Sequence, residues 1–509
     1  MKVQILIAPE IKQPWQVRRM ASVDVRRLPY GAGCLAAFLK RYGYDVTIKD
    51  MSFLAHKAWP WFIALDTLSV FKQIEDYLVR NVPNKRIDYF IKKMFQTAGI
   101  DKFDVIGFSV FSILNLPASL LLAKKIKEQT GAIIVFGGPL ITKRIQIMQR
   151  VNKYDFVNFF KFIDYLVVGR GEEAFLKLLR FLKGEVDLDG VPNLVYRKTG
   201  KVVINRSESF DIEKMPVPDF DSLPLSRYKR LLFFSNRRLA KNNRVLQLPY
   251  QMTCGCTQNC SFCNFYLVSP KVEFKSQEKI ISELIYLKDK YKTSYFYFCE
   301  TKFNISYQYA ENICDIFIKE KLSIHWRLYA GINNMDRKLL LKMKKAGCYA
   351  ISWGIESGSD NILRAMNKGF SVKQAAKTLK DSHNAGIKNA TSFMTGFVGE
   401  TDKDVCRTLA FIKDNSRYID RITLFDFGLN PATFVFDHPD KFGIEAIYPD
   451  RLSLLGASVI GWDEAGGLRW NDKLRQKRKA YRRAQRETNK IFYYRKLKYL
   501  WSRLFWKIF

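Results

Sequence analysis

The chain has 509 residues, of which 48% are hydrophobic and 26% are charged, and its formal net charge is +35. That length exceeds what one hydrophobic core usually organises, so we expect two or three folded domains rather than a disordered chain. The charge predicts an anionic partner, either nucleic acid or a phospholipid surface. No apolar run reaches the roughly 18 residues of a membrane-spanning helix, which excludes such a helix.

The first residues predict a cytoplasmic protein. Residues 1–9 have the pattern of a short β-strand rather than that of a basic, apolar signal peptide. Cysteines in that compartment stay reduced. Nine cysteines, four of them between Cys254 and Cys263, therefore suit metal ligation and buried thiols better than a disulfide framework.

Apolar β-branched runs alternate with helical patterns through residues 1–183. This alternation is typical of a parallel sheet between helices, and we predict a doubly wound, Rossmann-like α/β domain. Residues 52–100 interrupt the pattern and predict a helical insertion. Residues 184–244 contain four prolines and predict a linker between two globular units.

Six strand-then-helix repeats follow over residues 245–430 and predict a partial (β/α)6 barrel of the TIM type. In such barrels the chemistry lies at the C-terminal ends of the strands. Cys256, Cys260 and Cys263 follow the first predicted strand with C-x3-C-x2-C spacing. Three thiolates on one loop can hold a [4Fe-4S] cluster and leave one iron open. The alternative is a zinc knuckle with Cys254 as its fourth ligand.

The cysteine triplet, with Phe262 directly before Cys263, resembles the C-x3-C-x-aromatic-C signature of the radical S-adenosylmethionine (SAM) superfamily. The resemblance implies that the open iron binds SAM. One electron from the cluster then cleaves SAM to a 5′-deoxyadenosyl radical, which abstracts hydrogen from inert carbon.

Further segments match the same family in order along the chain. They are Phe298-Cys299-Glu300-Thr301, Gly354-Ile355-Glu356-Ser357-Gly358, Met366-Asn367-Lys368-Gly369 and Gly396-Phe397-Val398-Gly399-Glu400. Glu300 stands where members place an acid that accepts a hydrogen bond from the methionine amino group, although the usual acid pair is here one acid and a threonine. The resemblance implies that SAM contacts Phe262, Glu300, Gly354, Glu356, Ser357, Gly396 and Gly399.

Segments of the first domain resemble the cobalamin-binding domains that precede many radical enzymes. They are residues 28–31, the predicted strand Val105–Ser109, the pair at 137–138 and residues 169–173. The histidine motif with which mutases ligate cobalt is missing, and the only histidine before residue 184 is His56. The alternative is a Rossmann-like domain that holds another nucleotide or nothing. The resemblance implies cobalamin contacts at Ser109, Ser112, Gly137, Gly138, Gly169, Gly171 and Glu172.

With both cofactors, the resemblance implies methylation of an unactivated carbon. A substrate radical takes a methyl group from methylcobalamin, which a second SAM remethylates. Ring formation or oxidation, a radical enzyme without cobalamin, and a zinc-stabilised scaffold that binds anionic polymers remain alternatives. The implied partners are a reductant such as flavodoxin or ferredoxin and an unknown small-molecule or lipid substrate.

Residues 431–509 end in a basic tail, because fifteen Lys or Arg but only two Asp or Glu lie between Arg469 and Phe509. Apolar side chains at helical spacing near its end are typical of a helix on an anionic membrane surface, here the inner membrane surface. A terminal helix docked on the barrel and a nucleic-acid-binding tail are the alternatives. The apolar stripe consists of Leu497, Leu500, Trp501, Leu504, Phe505 and Ile508.

Overall fold

The computed structural model of the chain describes residues 1–11, 27–54, 67–100, 102–151, 160–231, 244–448, 460–466 and 468–505. These residues form two compact units, and the main division falls between Pro249 and Tyr250. His56 and Ile508 lie outside the described residues, and beyond Ile491 only the backbone of the last helix is described.

A seven-stranded sheet forms the centre of the first unit, in the order β2-β1-β3-β4-β5-β6-β7. Strands β1 to β5 pair in parallel, and β6 and β7 join in antiparallel pairings. The parallel strands are rich in Val and Ile because helices cover both faces of the sheet. The strands are β1 (Lys2–Ile7), β2 (Asp45–Asp50), β3 (Val105–Ser109), β4 (Ile133–Gly137), β5 (Tyr165–Val167), β6 (Leu194–Lys198) and β7 (Lys201–Ile204).

In the described part of this unit, six helices accompany the sheet and confirm the predicted doubly wound α/β fold. Proline in the first turn starts α4, and Gly99 in a left-handed conformation ends α3. Two of the helices, α2 and α3, lie in the predicted helical insertion. The helices are α1 (Tyr30–Arg41), α2 (Thr67–Val79), α3 (Lys85–Ala98), α4 (Leu116–Gln129), α5 (Pro139–Val151) and α6 (Glu172–Phe181).

The first unit continues past residue 183, where the sequence predicts a linker. Strands β6 and β7 form a hairpin because Thr199 and Gly200 adopt the positive φ angles, 47° and 84°, of a two-residue turn. Farther along, Phe220 is fully buried, and a Cβ added at Gly33 of α1 would lie 2.6 Å from its ring. The segment predicted as a linker therefore supplies part of the first sheet and core.

A six-stranded sheet forms the centre of the second unit, in the order β10-β13-β14-β15-β16-β17. Pairings from β13 to β17 are parallel, as expected for a partial β/α barrel. Three short two-stranded ladders accompany the two sheets. Strands β8 (Arg230–Leu231) and β9 (Arg244–Val245) belong to the first unit, and the division between the units falls within β10 (Gln247–Tyr250). The other strands are β11 (Thr253–Cys254), β12 (Glu273–Phe274), β13 (Tyr295–Phe298), β14 (His325–Ala330), β15 (Cys348–Glu356), β16 (Lys388–Thr395), β17 (Arg421–Asp426), β18 (Ile444–Tyr448) and β19 (Gly461–Glu464).

Helices follow the barrel strands, and serine, threonine or aspartate residues cap most of their N-termini. None of the described helices is apolar over a length that crosses a membrane. The helices of this unit are α7 (Gln277–Tyr291), α8 (Tyr307–Lys319), α9 (Arg337–Lys345), α10 (Asp360–Ala365), α11 (Val372–Asn384), α12 (Asp402–Asp414), α13 (Phe434–Asp437) and α14 (Trp470–Phe505).

The last helix, α14, packs its first half against β16, β17 and α12. This arrangement matches the docked helix that was the alternative to membrane contact. The buried face is not apolar throughout, because it includes two lysines whose ammonium groups reach backbone carbonyls of the barrel. Its buried residues are Lys473, Lys477, Ala480, Ala484 and Thr488.

Candidate functional site

The cysteine loop begins at the carboxyl end of the first barrel strand. Gly255 has a φ of +88°, and a Cβ there would lie 2.3 Å from the Lys271 carbonyl oxygen, so only glycine fits this turn. Cys254 belongs to the ladder of β11 and β12, and its sulfur accepts a hydrogen bond from Gln251 at 3.6 Å. The turn at Gly255 thus separates Cys254 from the triplet that follows.

The three predicted cluster ligands interact electrostatically with one another. Burial raises the pKa of Cys260 to about 11, Lys368 opposes that rise, and the Cys263 and Cys256 thiolates add to it. Backbone N–H groups donate to the sulfur atoms of Cys256 and Cys263, at 3.4 Å in each case. These donors and the lysine stabilise thiolates, which are the form that ligates iron. Within the described residues, however, no three Cys, His, Asp or Glu side chains are gathered closely enough to form a metal site, so ligation of a cluster by the triplet stays a prediction.

The segment after α10 holds the cysteine loop in place. The backbone N–H of Ser261 donates to the Met366 carbonyl at 3.0 Å. The side chain of Asn367 donates to the Asn259 carbonyl at 2.8 Å, and that of Gln258 donates to the Asn367 carbonyl at 2.9 Å. The motif at 366–369, to which the sequence assigned no role, thus clamps the loop that carries the cysteines.

Glu300 lies just after β13, and its carboxylate binds the backbone that leads into the cysteine loop. It is fully buried, and one carboxylate oxygen accepts a hydrogen bond from the Met252 backbone at 2.6 Å. Burial raises the pKa of Glu300 to about 7, whereas hydrogen bonds from Met252 and neighbouring backbone groups and the charge of Lys275 oppose the rise. Its charge also contributes to the raised pKa values of Tyr250 and Tyr309. These contacts place Glu300 among buried residues that hold the loop, and its SAM contact stays a prediction.

The raised pKa of Glu300 predicts a pH-dependent contribution to stability. The folded protein retains this proton better than the unfolded chain, so stability is lost as pH rises from about 4.5 to about 7. From pH 4.5 to pH 8, we expect the free energy of unfolding of Glu300→Gln to rise by up to about 3 kcal/mol relative to that of the original protein. Urea unfolding at both pH values measures the change, and exposed Glu320→Gln is the control. An equal effect of Glu300→Gln at both pH values would contradict the raised pKa.

Glu356 and Lys368 lie together beside the cysteine loop. Glu356 has a φ of +72°, an uncommon conformation for a residue with a side chain and one that is frequent at functional sites. Burial raises its pKa, while Lys368, at 4.0 Å, and the Ser392 hydroxyl, which donates at 3.2 Å, lower it. A Cβ at Gly354 would lie 2.8 Å from the Glu356 carboxylate, so this glycine makes room for it. The Lys368 ammonium is also 5.9 Å from the centre of the Phe262 ring.

Other residues that the sequence predicts to contact SAM make contacts with other parts of the second unit. The Ser357 hydroxyl is fully buried and lies 3.2 Å from the Thr408 hydroxyl of α12. Gly396 has a φ of +81°, and a Cβ there would lie 2.5 Å from the Lys477 side chain of α14. Gly399 has open space around it, and its N–H donates to Glu464 at 3.3 Å. The structure therefore brings Phe262, Gly354 and Glu356 together, but the side chain of Ser357 faces α12.

In the first unit, the predicted cobalamin contacts follow the carboxyl ends of β3, β4 and β5. The strand order reverses between β1 and β3, and ligands of doubly wound sheets bind at such a switch point. The Ser112 hydroxyl donates to Glu10 at 2.9 Å, and Asn115 donates to the Ser109 carbonyl at 3.3 Å. Phe111, at the same switch point, is 47% exposed. The exposed Phe111 side chain thus lies near the polar groups of Ser112 and Asn115.

Glycines shape the adjoining loops. Gly138 has a φ of +106°, and a Cβ there would lie 2.6 Å from the Val110 carbonyl oxygen. Gly169, at a φ of +77°, and Gly171 have room around them, and Gly137 would tolerate a Cβ at ordinary contact distance. Glu172, in the first turn of α6, is buried, and burial raises its pKa. One of its carboxylate oxygens has no hydrogen-bond partner in the described structure.

Comparison with known proteins identifies the second unit. Residues 250–412 match the model of the radical SAM superfamily, and this segment carries the cysteine triplet and strands β13 to β16. The chain therefore contains a radical SAM domain, whose cofactors are a [4Fe-4S] cluster and SAM.

Similar sequences include several methyltransferases. An uncharacterized methyltransferase of Pyrococcus horikoshii is 28% identical over 324 residues, which cover 62% of this chain and 65% of that protein. Cytidylyl-2-hydroxyethylphosphonate methyltransferase of Streptomyces wedmorensis is 22% identical over 72% of this chain and 68% of its own length. The chain thus spans about two thirds of the length of these relatives.

Solved structures show the same fold across both units. The cobalamin-dependent SAM radical enzyme OxsB, with aqua-cobalamin and SAM bound, matches with a TM-score of 0.56 at 17% identity, over 87% of this chain and 56% of OxsB. The radical SAM methyltransferase TsrM from Kitasatospora setae, with cobalamin and a [4Fe-4S] cluster bound, matches with a TM-score of 0.58 at 15% identity. That match covers 85% of this chain and 74% of TsrM.

Proposed function

We propose that the protein is a cobalamin-dependent radical SAM enzyme that methylates an unactivated carbon. The observation that carries the proposal is the cysteine triplet, held by the segment at 366–367 in the mouth of a radical SAM domain. When bound, the cluster and SAM supply a 5′-deoxyadenosyl radical, and cobalamin supplies a methyl group. Methyltransferases among the relatives support methylation, and an anaerobic magnesium-protoporphyrin IX monomethyl ester cyclase of Rubrivivax gelatinosus, 25% identical over 50% of this chain, makes ring formation the second candidate.

Residues around the triplet suit a zwitterionic, aromatic cofactor such as SAM. Phe262 offers an aromatic face, and it packs beside the buried apolar cluster that includes Phe397 and Trp462. Glu356 and Lys368 supply one charge of each sign within 4.0 Å of each other. This pair offers Glu356 to a ligand's ammonium group and Lys368 to a ligand's carboxylate.

The first unit suits cobalamin at its switch point. The exposed Phe111 ring offers an apolar surface to a planar ligand, and the room at Gly169 and Gly171 permits close approach of the backbone. One carboxylate oxygen of Glu172 is buried without a hydrogen-bond partner, and a donor from a bound ligand would satisfy it. OxsB and TsrM hold cobalamin on the same fold, which supports this assignment.

Methylation is tested with SAM whose methyl group carries deuterium. The reconstituted protein is incubated with this SAM, dithionite and separate polar and lipid extracts, and products are examined by mass spectrometry. We expect a compound that gains a deuterated methyl group. Formation of 5′-deoxyadenosine with a product that gains no label would instead indicate ring formation or oxidation.

We also propose that α14 attaches the protein to an anionic membrane surface. Its buried face docks on the barrel, and its other face exposes a continuous set of cations. Basic surfaces of this kind attract anionic lipids. The exposed residues are Arg475, Arg478, Lys479, Arg482, Arg483, Arg486 and Lys490.

Charge reversal tests this surface. The triple variant Arg482→Glu, Arg483→Glu, Arg486→Glu is expected to bind vesicles of phosphatidylserine and phosphatidylcholine roughly a hundredfold less tightly, since each cation contributes about 1 kcal/mol. The control reverses three exposed lysines of α11, Lys373, Lys377 and Lys380, for the same change in net charge. Equal losses in both variants, or binding to RNA but not to vesicles, would rule out a membrane surface on α14.

A further inference from the structure

The loop that follows β16, residues 396–400, is held by two side chains from the C-terminal part of the chain. Glu464, at the end of β19, accepts a hydrogen bond from the Gly399 N–H at 3.3 Å. Lys473, near the start of α14, donates to the Phe397 carbonyl at 3.2 Å. The segment that matches the radical SAM superfamily ends well before either residue. Side chains outside that segment thus bind one N–H and one carbonyl group of this loop.

The same two side chains form a buried ion pair. The Lys473 ammonium lies 2.9 Å from the Glu464 carboxylate, and the two side chains are 1% and 10% exposed. The indole N–H of Trp462 donates to the same carboxylate oxygen at 3.0 Å, while the other oxygen faces Gly399. A buried ion pair contributes little net stability compared with apolar residues of similar size. Its contacts with the loop therefore indicate a role in fixing the geometry of the loop.

A third residue of the C-terminal part limits the start of the loop. Gly396 has a φ of +81°, and a Cβ there would lie 2.5 Å from Cγ of Lys477, one turn after Lys473 on α14. The Gly396 N–H donates to the Glu400 carboxylate, which closes the loop on itself. The loop is thus held at both of its ends and packed against α14.

The loop lies on the side of the second unit that carries the predicted SAM contacts. Phe397 and Trp462 belong to one buried apolar cluster, against which Phe262 packs, and Phe262 directly precedes Cys263. Strands β15 and β16 are parallel, so the loop after β16 leaves the same sheet edge as Glu356 at the end of β15. A displacement of the loop would therefore change the surroundings of these residues.

We propose that Lys473 and Glu464 are positioning residues that hold the loop at 396–400 in the conformation that binds SAM. The inference rests on the proposed function and extends its site to the C-terminal part of the chain. A loop that is held in place before the ligand arrives binds it more tightly, because less conformational entropy is lost on binding.

The test is the double variant Lys473→Met, Glu464→Gln. It removes both charges together, so no unpaired charge stays buried, and the new amide still offers an oxygen to the Gly399 N–H. The matched control is Lys377→Met, Asp381→Asn, which removes an ion pair of 2.7 Å on α11 whose lysine is 71% exposed.

Four properties of each reconstituted protein are measured. They are the unfolding temperature, the bound iron, the electron paramagnetic resonance spectrum of the reduced cluster without SAM, and the kcat and KM for SAM in dithionite-driven formation of 5′-deoxyadenosine. Equilibrium dialysis with SAM gives the affinity directly.

We expect the double variant to bind SAM about tenfold or more weakly and to raise the KM for SAM by the same factor. Its iron content, the cluster spectrum without SAM and the kcat at saturating SAM stay at the values of the original protein, because the pair contacts neither the cysteines nor the reacting atoms. The control variant keeps the original KM. An unchanged KM and SAM affinity in the double variant overturn the inference. Loss of iron also overturns it, since the pair would then serve the cysteine loop or the fold as a whole.

Failure of the proposed function is distinguishable from failure of this inference. An original protein that binds no cluster or does not cleave SAM would remove the proposed function. In that case, hydrogen exchange at residues 396–400 still compares the double variant with the control. Exchange that is no faster in the double variant would show that the pair does not hold the loop. A normal original protein with an unaffected double variant would remove only the role of Lys473 and Glu464.

Discussion

Replacement of Cys260 by Ala is expected to abolish cluster binding and to lower the formation of 5′-deoxyadenosine at least about a hundredfold. Three thiolates are the minimum set that holds a four-iron cluster with one open iron, and Cys260 lies between the other two. Iron analysis and dithionite-driven SAM cleavage measure the loss.

Cys254→Ala is the matched control for this prediction. Cys254 is only two residues before the triplet, but it lies in the ladder of β11 and β12. We expect Cys254→Ala to retain iron and SAM cleavage. Equal loss of metal in both variants, with zinc as the metal bound by the original protein, would instead support a four-cysteine zinc knuckle.

The second large effect is expected at Gly171 in the first unit. Gly171→Leu introduces bulk beside the carboxyl end of β5, where φ is an ordinary −91° and an added Cβ lies 3.6 Å from Val167. The fold therefore accepts the substitution, but a ligand that approaches this loop does not. We expect cobalamin affinity to fall about tenfold or more, because overpacking a close contact costs ~1–3 kcal/mol.

Gly131→Leu provides the control at the opposite edge of the same sheet. Gly131 precedes β4, is exposed, and has no atom within 4 Å of an added Cβ. Cobalamin uptake, followed by its absorption spectrum, should be normal in Gly131→Leu, and iron content should be normal in both variants. Normal cobalamin uptake in Gly171→Leu would exclude this loop from the binding site.

Local patterns in the sequence were sufficient to predict both α/β sheets. Strand periodicity and β-branched composition are local properties, and the cysteine spacing determines which thiols share a loop. The sequence does not predict the hairpin of β6 and β7, because its proline-rich surroundings favour a linker. The turn at Thr199-Gly200 was the available signal for it.

Long-range contacts within the second unit were not predictable from the sequence. The partner of Gly396 is Lys477, which is far away along the chain, and the partner of the cysteine loop is the segment at 366–367. The sequence also does not predict in which direction the side chains after β13 point. Glu300 stands out as an acid in a family motif, but its burial and its contact with the Met252 backbone appear only in three dimensions.

Metal and cofactor content, together with SAM cleavage, tests the central claim most directly. The protein is purified without oxygen, reconstituted with iron, sulfide and hydroxocobalamin, and assayed for iron, cobalt and dithionite-driven 5′-deoxyadenosine. We predict about four iron atoms and about one cobalt per chain, with 5′-deoxyadenosine formed. Iron and cleavage without cobalt would contradict the cobalamin assignment, and bound zinc without cleavage would contradict the proposed enzyme.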